Sequence, residues 1–216
     1  MTYENIFFDL DGTVTDPYIG ITNSIFFSLR SYPEIAKPER EALKPFIGPP
    51  LYASYMEFFG MDEQTAREAV EHYREYYRPT GVLECTVYDG MEELLKGLKS
   101  AGKRVYLATS KPEGFAVQIL EHFKISQYFD GIYGSTLDGS RVKKEDVLAY
   151  ALNESGAVPS RSVMVGDTVF DVTGAIINEI PCIGVSYGYG NEAEILSAGA
   201  IALVGSPKEL YELLLK

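Results

Sequence analysis

The fold of this chain is decided close to its start, by residues 3–13, which read YENIFFDLDGT. A mainly apolar run of the length of a β-strand ends here in Asp9 and Asp11, which fall on the same side of the chain if the extended form continues. Gly12 then permits a sharp turn and the close approach of the backbone to a ligand. Taken alone, the stretch is equally explained by an acidic turn that caps the next helix.

The rest of the chain alternates short apolar runs with amphipathic stretches, a pattern typical of a parallel sheet covered by helices. It predicts an α/β fold with a doubly wound parallel sheet. Strands are predicted at Tyr3–Asp9, Arg104–Thr109, Gly131–Gly134, Ser162–Gly166, Pro181–Val185 and Ile201–Val204. Helices are predicted between them at Gly90–Ser100, Gly114–Phe123, Lys144–Ser155, Val172–Asn178 and Asn191–Ala198.

One interval interrupts this alternation, because residues 17–83 carry helical patterns and no convincing strand. Helices are predicted there at Tyr18–Arg30, Leu51–Phe59 and Glu63–Tyr77. We therefore predict two domains: a catalytic α/β core of residues 1–16 and 84–216, and an inserted helical cap of residues 17–83. The many aromatic residues of the cap are expected to form its own core, with stacking on a nucleobase as the alternative.

Small polar and charged residues also stand at the ends of other predicted strands or at the start of a helix. They are Thr109-Ser110-Lys111, the pair Lys143 and Lys144, Gly166-Asp167, and Asp171 one helical turn later. Ligands of open parallel sheets bind at the carboxyl ends of the strands. We therefore expect these groups to gather around Asp9.

In this context the chain resembles the haloacid dehalogenase superfamily, specifically its phosphatase branch with a helical cap inserted after the first motif. The motifs that carry the resemblance are Asp9-Leu10-Asp11-Gly12-Thr13, Thr109-Ser110, Lys144, and Gly166-Asp167 through Asp171. The resemblance covers essentially the whole chain and implies a haloacid dehalogenase-like core. Within that branch the chain is most similar to phosphoglycolate phosphatase-type proteins and to their neighbours labelled as nucleotidases.

The resemblance implies a phosphatase reaction in two steps, with Mg²⁺ as the cofactor. Asp9 would be the nucleophile that forms an aspartyl-phosphate, and Asp11 would protonate the leaving oxygen and then deprotonate the attacking water. The carboxylates of Asp9 and Asp167 and the backbone carbonyl of Asp11 would hold the metal. Hard oxygen ligands of this kind are those that Mg²⁺ prefers.

The resemblance also implies which groups hold the phosphate. Thr109, the Ser110 amide and Lys144 would bind the remaining phosphoryl oxygens and offset their charge. Asp171 would orient Lys144 or a metal-bound water. Many relatives place a proline after the motif lysine and this chain does not, so Lys143 stays open as the alternative to Lys144.

Four further residues are expected to contact the substrate. They are Gly12 and Thr13 of the first motif, and Gly48 and Pro49 of the cap. A plain helix break is the alternative explanation of the Gly48-Pro49-Pro50 turn. Because the core motifs hold only the phosphoryl group and the metal, the cap is expected to close over Asp9 and to select the substrate.

A glycine-rich stretch, Gly188-Tyr189-Gly190-Asn191, fits a dinucleotide fingerprint and follows a predicted strand. It comes too late in the chain to be followed by a dinucleotide-binding half. We predict a loop beside the active site instead.

The charge composition of the chain limits the classes of partner that it can bind. The net charge of −12, from 31 acidic and 19 basic residues, repels nucleic acids and anionic membrane faces. No apolar run approaches the ~20 residues of a membrane span, and the start of the chain lacks the basic and apolar regions of a secretory signal. The expected partner is a small phosphorylated metabolite rather than nucleic acid or a membrane. The chain is expected in the cytoplasm, as a monomer or homodimer.

Hydrolysis of a small phosphate monoester, as in phosphoglycolate phosphatases, is the leading functional prediction. A 5′-nucleotidase, or another sugar-phosphate phosphatase, and a phosphomutase of the same superfamily remain open, because the first motif serves all of them. A dehalogenase is disfavoured by Asp11, since a leaving halide needs no proton. A binding module without catalysis is disfavoured by the complete set of motifs.

Overall fold

The computed structural model describes residues 3–215. Its centre is a parallel sheet of six strands: β1 (Asn5–Phe8), β4 (Arg104–Pro112), β5 (Gly131–Ser135), β6 (Ser162–Gly166), β7 (Cys182–Val185) and β8 (Ala202–Val204). Their order in the sheet is β5-β4-β1-β6-β7-β8. Two short strands, β2 (Thr15–Asp16) and β3 (Thr86–Val87), form a separate sheet.

Helices between these strands, and one after β8, cover the sheet. They are α4 (Met91–Ser100), α5 (Glu113–His122), α6 (Lys144–Ser155), α7 (Val169–Ile177), α8 (Glu192–Ser197) and α9 (Pro207–Leu214). Short 3-10 turns lie at Ser126–Tyr128 and Pro159–Arg161. This architecture confirms the predicted α/β fold with a doubly wound parallel sheet.

The core sits where β1 and β6 are buried along their whole length. Phe7 stacks on Tyr106 with ring centroids 4.9 Å apart, and Met164 and Val172 belong to the same buried cluster. Because β1 lies between β4 and β6, the residues that follow these three strands come out side by side at one edge of the sheet.

The chain divides into two compact units, with boundaries after Asp16 and after Thr86. The sequence placed the second boundary at Leu83, slightly earlier. The inserted unit, Pro17–Thr86, holds α1 (Tyr18–Ser28), α2 (Leu51–Phe59) and α3 (Glu63–Tyr77). Its 3-10 turns are Leu29–Ser31, Arg40–Phe46 and Gly81–Leu83.

Aromatic residues fill the interior of the inserted unit. Tyr55 is fully buried, and its ring contacts Phe46 at 5.4 Å and Phe59 at 5.7 Å between centroids. Tyr73 and Tyr77 are also buried and stack at 5.2 Å. These rings serve the packing of the unit, as the sequence predicted for the aromatic residues of the cap.

None of the helices within residues 3–215 is both long and apolar enough to cross a membrane.

Candidate active site

The nucleophile candidate, Asp9, directly follows β1 and stays in the hydrogen-bond ladder of the sheet. Its amide donates to the carbonyl of Val165 in β6 at 2.9 Å. The residue is 8% exposed. The backbone of Asp9 is therefore held rigidly while its carboxylate points past the carboxyl edge of the sheet, where ligands of such sheets bind.

Lys144 approaches Asp9 from the first turn of α6. Its Nζ lies 2.7 Å from Asp9 Oδ1 and 2.8 Å from Asp171 Oδ1, and it donates to the carbonyl of Ala108 at 3.0 Å. Burial alone would lower the pKa of Lys144, but the carboxylates of Asp171 and Asp9 together raise it above its ordinary value. The ammonium group is therefore charged at neutral pH.

Lys143, the alternative left open by the sequence, lies in a different environment. It precedes α6, its side chain is 71% exposed, and its Nζ stands 4.0 Å from Glu145. The geometry thus favours Lys144 for a role at Asp9.

Asp11 is paired with a residue to which the sequence analysis assigned no role. Lys111, at the end of β4, places its Nζ 2.7 Å from both carboxylate oxygens of Asp11, and its side chain is 5% exposed. Burial raises the pKa of Asp11, while Lys111 opposes that rise, and the net result is a pKa above the ordinary value. A carboxyl group in this condition is suited to exchanging a proton.

Asp167, directly after β6, has one engaged and one free carboxylate oxygen. Its Oδ2 accepts a hydrogen bond from the Tyr189 amide at 2.7 Å. Its Oδ1 is buried without a hydrogen-bond partner among the described residues. Burial, and then the charges of Asp171 and Asp9, raise the pKa of Asp167 well above its ordinary value. Such a group calls for a compensating cation.

Asp171 lies in the first turn of α7 and is fully buried. Its Oδ2 accepts hydrogen bonds from the amide and the hydroxyl of Thr168, at 3.0 and 2.8 Å, while Oδ1 faces Lys144. Burial raises the pKa of Asp171, although Lys144 opposes the rise. Its contacts fit the predicted role of orienting Lys144.

Three buried carboxylates are close enough to share a metal ion. One oxygen each of Asp9, Asp167 and Asp171 lies within 4.8 Å of the others. Asp167 also has an oxygen, Oδ1, without a hydrogen-bond partner among the described residues, and a Cβ added to Gly12 would stand 2.1 Å from its Oδ2. The donor set is purely oxygen, so these residues fit a hard divalent cation. The Asp11 carboxylate is occupied by Lys111, which leaves only its backbone carbonyl for the metal role predicted for that residue.

The remaining predicted site residues divide between the two units. Thr109 is buried, and its hydroxyl accepts from the Lys111 amide at 3.2 Å. Thr13 is buried as well, with a hydroxyl that lacks a hydrogen-bond partner within residues 3–215. Ser110 is partly buried in β4. Gly48 and Pro49 belong to the inserted unit, ahead of α2, and their contact with substrate stays a prediction.

The glycine-rich stretch after β7 lies where the sequence predicted it, beside these carboxylates. A Cβ added to Gly188 would be 2.4 Å from Asp167 Oδ2, and one added to Gly190 would be 1.8 Å from the Asp167 carbonyl oxygen. The amide of Tyr189 as a partner of Asp167 was not predicted from the sequence. The stretch Thr109-Ser110-Lys111 was expected near Asp9, but the pairing of Lys111 with Asp11 was not predicted, because β4 continues past Thr109 to Pro112 with a shift in register.

Comparisons with known proteins agree with this geometry. A family model described as haloacid dehalogenase-like hydrolase matches residues 6–185. A curated 5′-nucleotidase from Pseudomonas aeruginosa is 47% identical over 195 residues, which cover 90% of this chain and 88% of that protein. A crystal structure described as a predicted phosphatase from Clostridium acetobutylicum is 45% identical and superposes with a TM-score of 0.94, covering 100% of this chain and 99% of that one.

Two further relatives carry different functional names. A phosphoglycolate phosphatase from Pseudomonas fluorescens is 30% identical over 213 residues, covering 95% of this chain and 77% of that protein. Tyrosine-protein kinase PtkA from Mycobacterium tuberculosis is 41% identical over 185 residues. The match covers 86% of this chain but only 62% of the kinase.

Proposed function

Because this chain belongs to the haloacid dehalogenase-like hydrolases and is a phosphoric monoester hydrolase, we propose that it cleaves a small phosphate monoester with Mg²⁺ and with Asp9 as the nucleophile. One observation carries the proposal. The Asp9 carboxylate stands at the carboxyl edge of the sheet, 2.7 Å from the buried ammonium of Lys144 and in one cluster with Asp167. A carboxylate placed between a cation and a metal site is suited to accept a phosphoryl group.

The metal would be held by the carboxylates of Asp9 and Asp167 and by the backbone carbonyl of Asp11. Oxygen ligands without histidine or cysteine favour Mg²⁺ over Zn²⁺. When bound, the ion supplies positive charge that reduces the repulsion between the anionic nucleophile and the anionic phosphate.

In the first step, an oxygen of Asp9 attacks phosphorus and the ester P–O bond breaks. Asp11 donates a proton to the departing oxygen, so the alcohol leaves as a neutral molecule. The pairing of Asp11 with Lys111 at 2.7 Å fixes the direction of this carboxyl group. Because burial raises the pKa of Asp11, its protonated form is accessible for the donation.

In the second step, water attacks the phosphorus of the aspartyl-phosphate and gives its proton to Asp11. The bond from phosphorus to Asp9 breaks, which releases inorganic phosphate and regenerates the free carboxylate. Throughout, Lys144, Thr109 and the Ser110 amide offset the charge on the other phosphoryl oxygens. Lys144 stays in position because Asp171 pairs with its ammonium group at 2.8 Å.

The substrate we propose is a nucleoside 5′-monophosphate, with phosphoglycolate as the second candidate. The sequence alone put phosphoglycolate first. The order changes because the relative named 5′-nucleotidase is 47% identical and the one named phosphoglycolate phosphatase is 30% identical. A chain with a net charge of −12 suits a small anion better than a polyanion.

A substrate panel tests this proposal. Nucleoside monophosphates, phosphoglycolate and sugar phosphates are assayed for phosphate release with saturating Mg²⁺, with excess chelator, and after Mg²⁺ is restored. We expect release that requires the metal, is fastest with a nucleoside monophosphate, and is absent in Asp9→Asn. Full activity after exhaustive metal removal contradicts the metal role.

Other outcomes of the panel would assign the site to a different reaction. Bisphosphate-dependent isomerisation of a sugar phosphate without phosphate release identifies a mutase. Transfer from ATP to a tyrosine-containing peptide, in the absence of hydrolysis, identifies the activity for which the mycobacterial relative is named. If no compound in the panel is turned over, the alternative of a binding module without catalysis is supported instead.

A further inference from the structure

The loop of residues 186–191 between β7 and α8, here called the tyrosine loop, packs directly on Asp167. The Tyr189 amide donates to Asp167 Oδ2 at 2.7 Å. A side chain at Gly188 would overlap the Asp167 carboxylate, and one at Gly190 would overlap the Asp167 carbonyl. The loop backbone therefore forms one wall of the carboxylate cluster, and only glycine fits at these two positions.

Two tyrosine hydroxyls fasten the tyrosine loop to the segment that follows the nucleophile. The Tyr187 hydroxyl donates to the carbonyl of Thr13 at 3.1 Å. The Tyr189 hydroxyl donates to Oδ1 of Asp16. The ring of Tyr187 also packs edge-on against Tyr88, with 4.8 Å between centroids. The two hydrogen bonds join parts of the chain that lie more than 170 positions apart.

Asp167 needs such support, because its surroundings oppose its charge. It is buried beside two other carboxylates, and its Oδ1 has no hydrogen-bond partner among the described residues. Among those residues, its one hydrogen bond comes from the tyrosine loop. A flexible or displaced loop would let the carboxylate turn away from Asp9, since like charges repel.

We propose that Tyr187 and Tyr189 are positioning residues for the metal site: their hydroxyls lock the tyrosine loop, so that the Tyr189 amide holds Asp167 Oδ2 and leaves Oδ1 directed at the cation. The inference rests on the metal role proposed for Asp167. It assigns a task to two residues outside the four motifs. Neither residue touches the substrate in this scheme, because both act through Asp167.

The test compares Mg²⁺ binding by the wild type, Tyr187→Phe, Tyr189→Phe and the double variant. Binding is measured directly by calorimetry and independently as the Mg²⁺-dependent rise in Tm. Tyr128→Phe is the matched control, because it removes a hydroxyl bonded to the Glu92 carboxylate at 3.0 Å, away from the carboxylate cluster. Phenylalanine keeps the ring and its packing, and each single variant serves if the double variant folds poorly.

We expect the dissociation constant for Mg²⁺ to rise about tenfold in the double variant, the effect of losing roughly one net hydrogen bond of orientation. Tyr128→Phe should match the wild type within about twofold. The kcat of the double variant should recover at high Mg²⁺, which a general structural defect would not allow. Unchanged Mg²⁺ affinity in the double variant overturns the positioning role alone. Absence of Mg²⁺ binding by the wild type overturns the proposed metal site and this role with it.

Discussion

A lysine as buried as Lys144 is tolerated only because two carboxylates neutralise it. Its side chain is 3% exposed, and the two partners lie at 2.7 and 2.8 Å. An unpaired charge at this depth would be strongly unfavourable. The same two ion pairs that make the buried lysine tolerable place a fixed positive charge beside the nucleophile, so stability and chemistry depend on the same contacts.

The neighbouring lysines provide a matched pair of variants. Lys144→Met should lower kcat by about 10²–10³-fold, because it removes a preorganised charge from the phosphoryl site. Lys143→Met should stay within about twofold of the wild type, since that side chain is exposed and lies 4.0 Å from Glu145. Steady-state kinetics at saturating Mg²⁺, with circular dichroism to verify folding, compares the two. Equal losses, or a larger loss at Lys143, would reverse the assignment.

Asp167→Asn distinguishes the destabilisation caused by the buried Asp167 charge from the proposed role of that charge in metal binding. In the metal-free protein the pKa of Asp167 is raised, first by burial and then by Asp171 and Asp9. The protonated form therefore favours the folded state, and this contribution is lost as the pH rises through the raised pKa. Without metal, Asp167→Asn should be more stable than the wild type at pH 8, and the difference should shrink as the pH falls.

Denaturant titrations from pH 8 to pH 5, with chelator and with Mg²⁺, check this prediction. The wild type should gain about 2.7 kcal/mol at a Mg²⁺ concentration 100 times its dissociation constant. Asp167→Asn should gain much less. A wild type that is as stable as the variant at pH 8 in chelator would show that the Asp167 charge is already compensated without a cation.

The motif residues could be predicted from the sequence because each follows an apolar strand or begins a helix. Asp9 and Asp167 come together because they follow the neighbouring parallel strands β1 and β6, and Lys144 reaches Asp9 from the start of α6. The pairing of Lys111 with Asp11 could not be predicted, since the predicted strand stopped at Thr109 while β4 continues to Pro112. The hydrogen bond of the Tyr189 amide was equally hidden, because backbone groups carry no signal in the residue type.

Among the elements, α7 links stability to chemistry most directly. Thr168 caps the helix, and its amide and hydroxyl both donate to Asp171 Oδ2. The first turn of α7 therefore positions Asp171, which in turn pairs with Lys144. At α9, Ser206 caps in a similar way, with its hydroxyl accepting from the Glu209 amide at 3.2 Å. These two caps allow a controlled comparison.

Thr168→Ala and Ser206→Ala should each lower the free energy of unfolding by about 1 kcal/mol, the usual cost of losing a cap. Only Thr168→Ala should also lower kcat, by about tenfold, because Asp171 Oδ2 loses the hydrogen bond from the Thr168 hydroxyl and keeps only the one from the backbone amide. Urea denaturation measures the free energy of unfolding of both variants, and steady-state kinetics measures their kcat. An undiminished kcat in Thr168→Ala would mean that Lys144 and the backbone amide of residue 168 suffice to hold Asp171.

The bounds of helices and strands could be predicted where the apolar periodicity is strong. They were predicted poorly where tertiary contacts determine the local structure. α2, α3, α6 and β6 have the predicted bounds. The strands β2 and β3 were not predicted, since two-residue strands form through pairing rather than through pattern. α9 was missed as well, although Pro207 after Ser206 is a typical helix start. The 3-10 turn Arg40–Phe46 contains Pro45, which obscures any helical pattern.

For the whole molecule, the arrangement in two units separates two tasks in the proposal. The unit that carries Asp9 and Asp167 recognises a phosphoryl group and a metal, which all phosphate monoesters would share. Discrimination between leaving groups therefore falls to the inserted unit, Pro17–Thr86. The sequence predicted this insertion from the break in strand and helix alternation.

Pro49→Ala tests that division. We expect the ranking of kcat/KM across nucleoside monophosphates, phosphoglycolate and sugar phosphates to change by about tenfold for at least one pair, the scale on which pocket contacts discriminate. Mg²⁺ dependence and product inhibition by phosphate should stay as in the wild type. Pro159→Ala, at a short turn of the other unit, is the control for a proline lost from a turn. The same ranking in Pro49→Ala as in the wild type would remove this turn from substrate recognition.

Identification of the phosphorylated residue tests the central claim most directly. In Asp11→Asn, p-nitrophenyl phosphate can complete the first step because its leaving group needs no proton, while attack by water lacks its base. Rapid mixing should show a burst of one nitrophenolate per enzyme, and mass spectrometry of the acid-quenched peptides should find one phosphoryl group on Asp9. Asp9→Asn should give neither signal. A phosphoryl group on any other residue, or release without a burst and without a modified Asp9, would contradict the account.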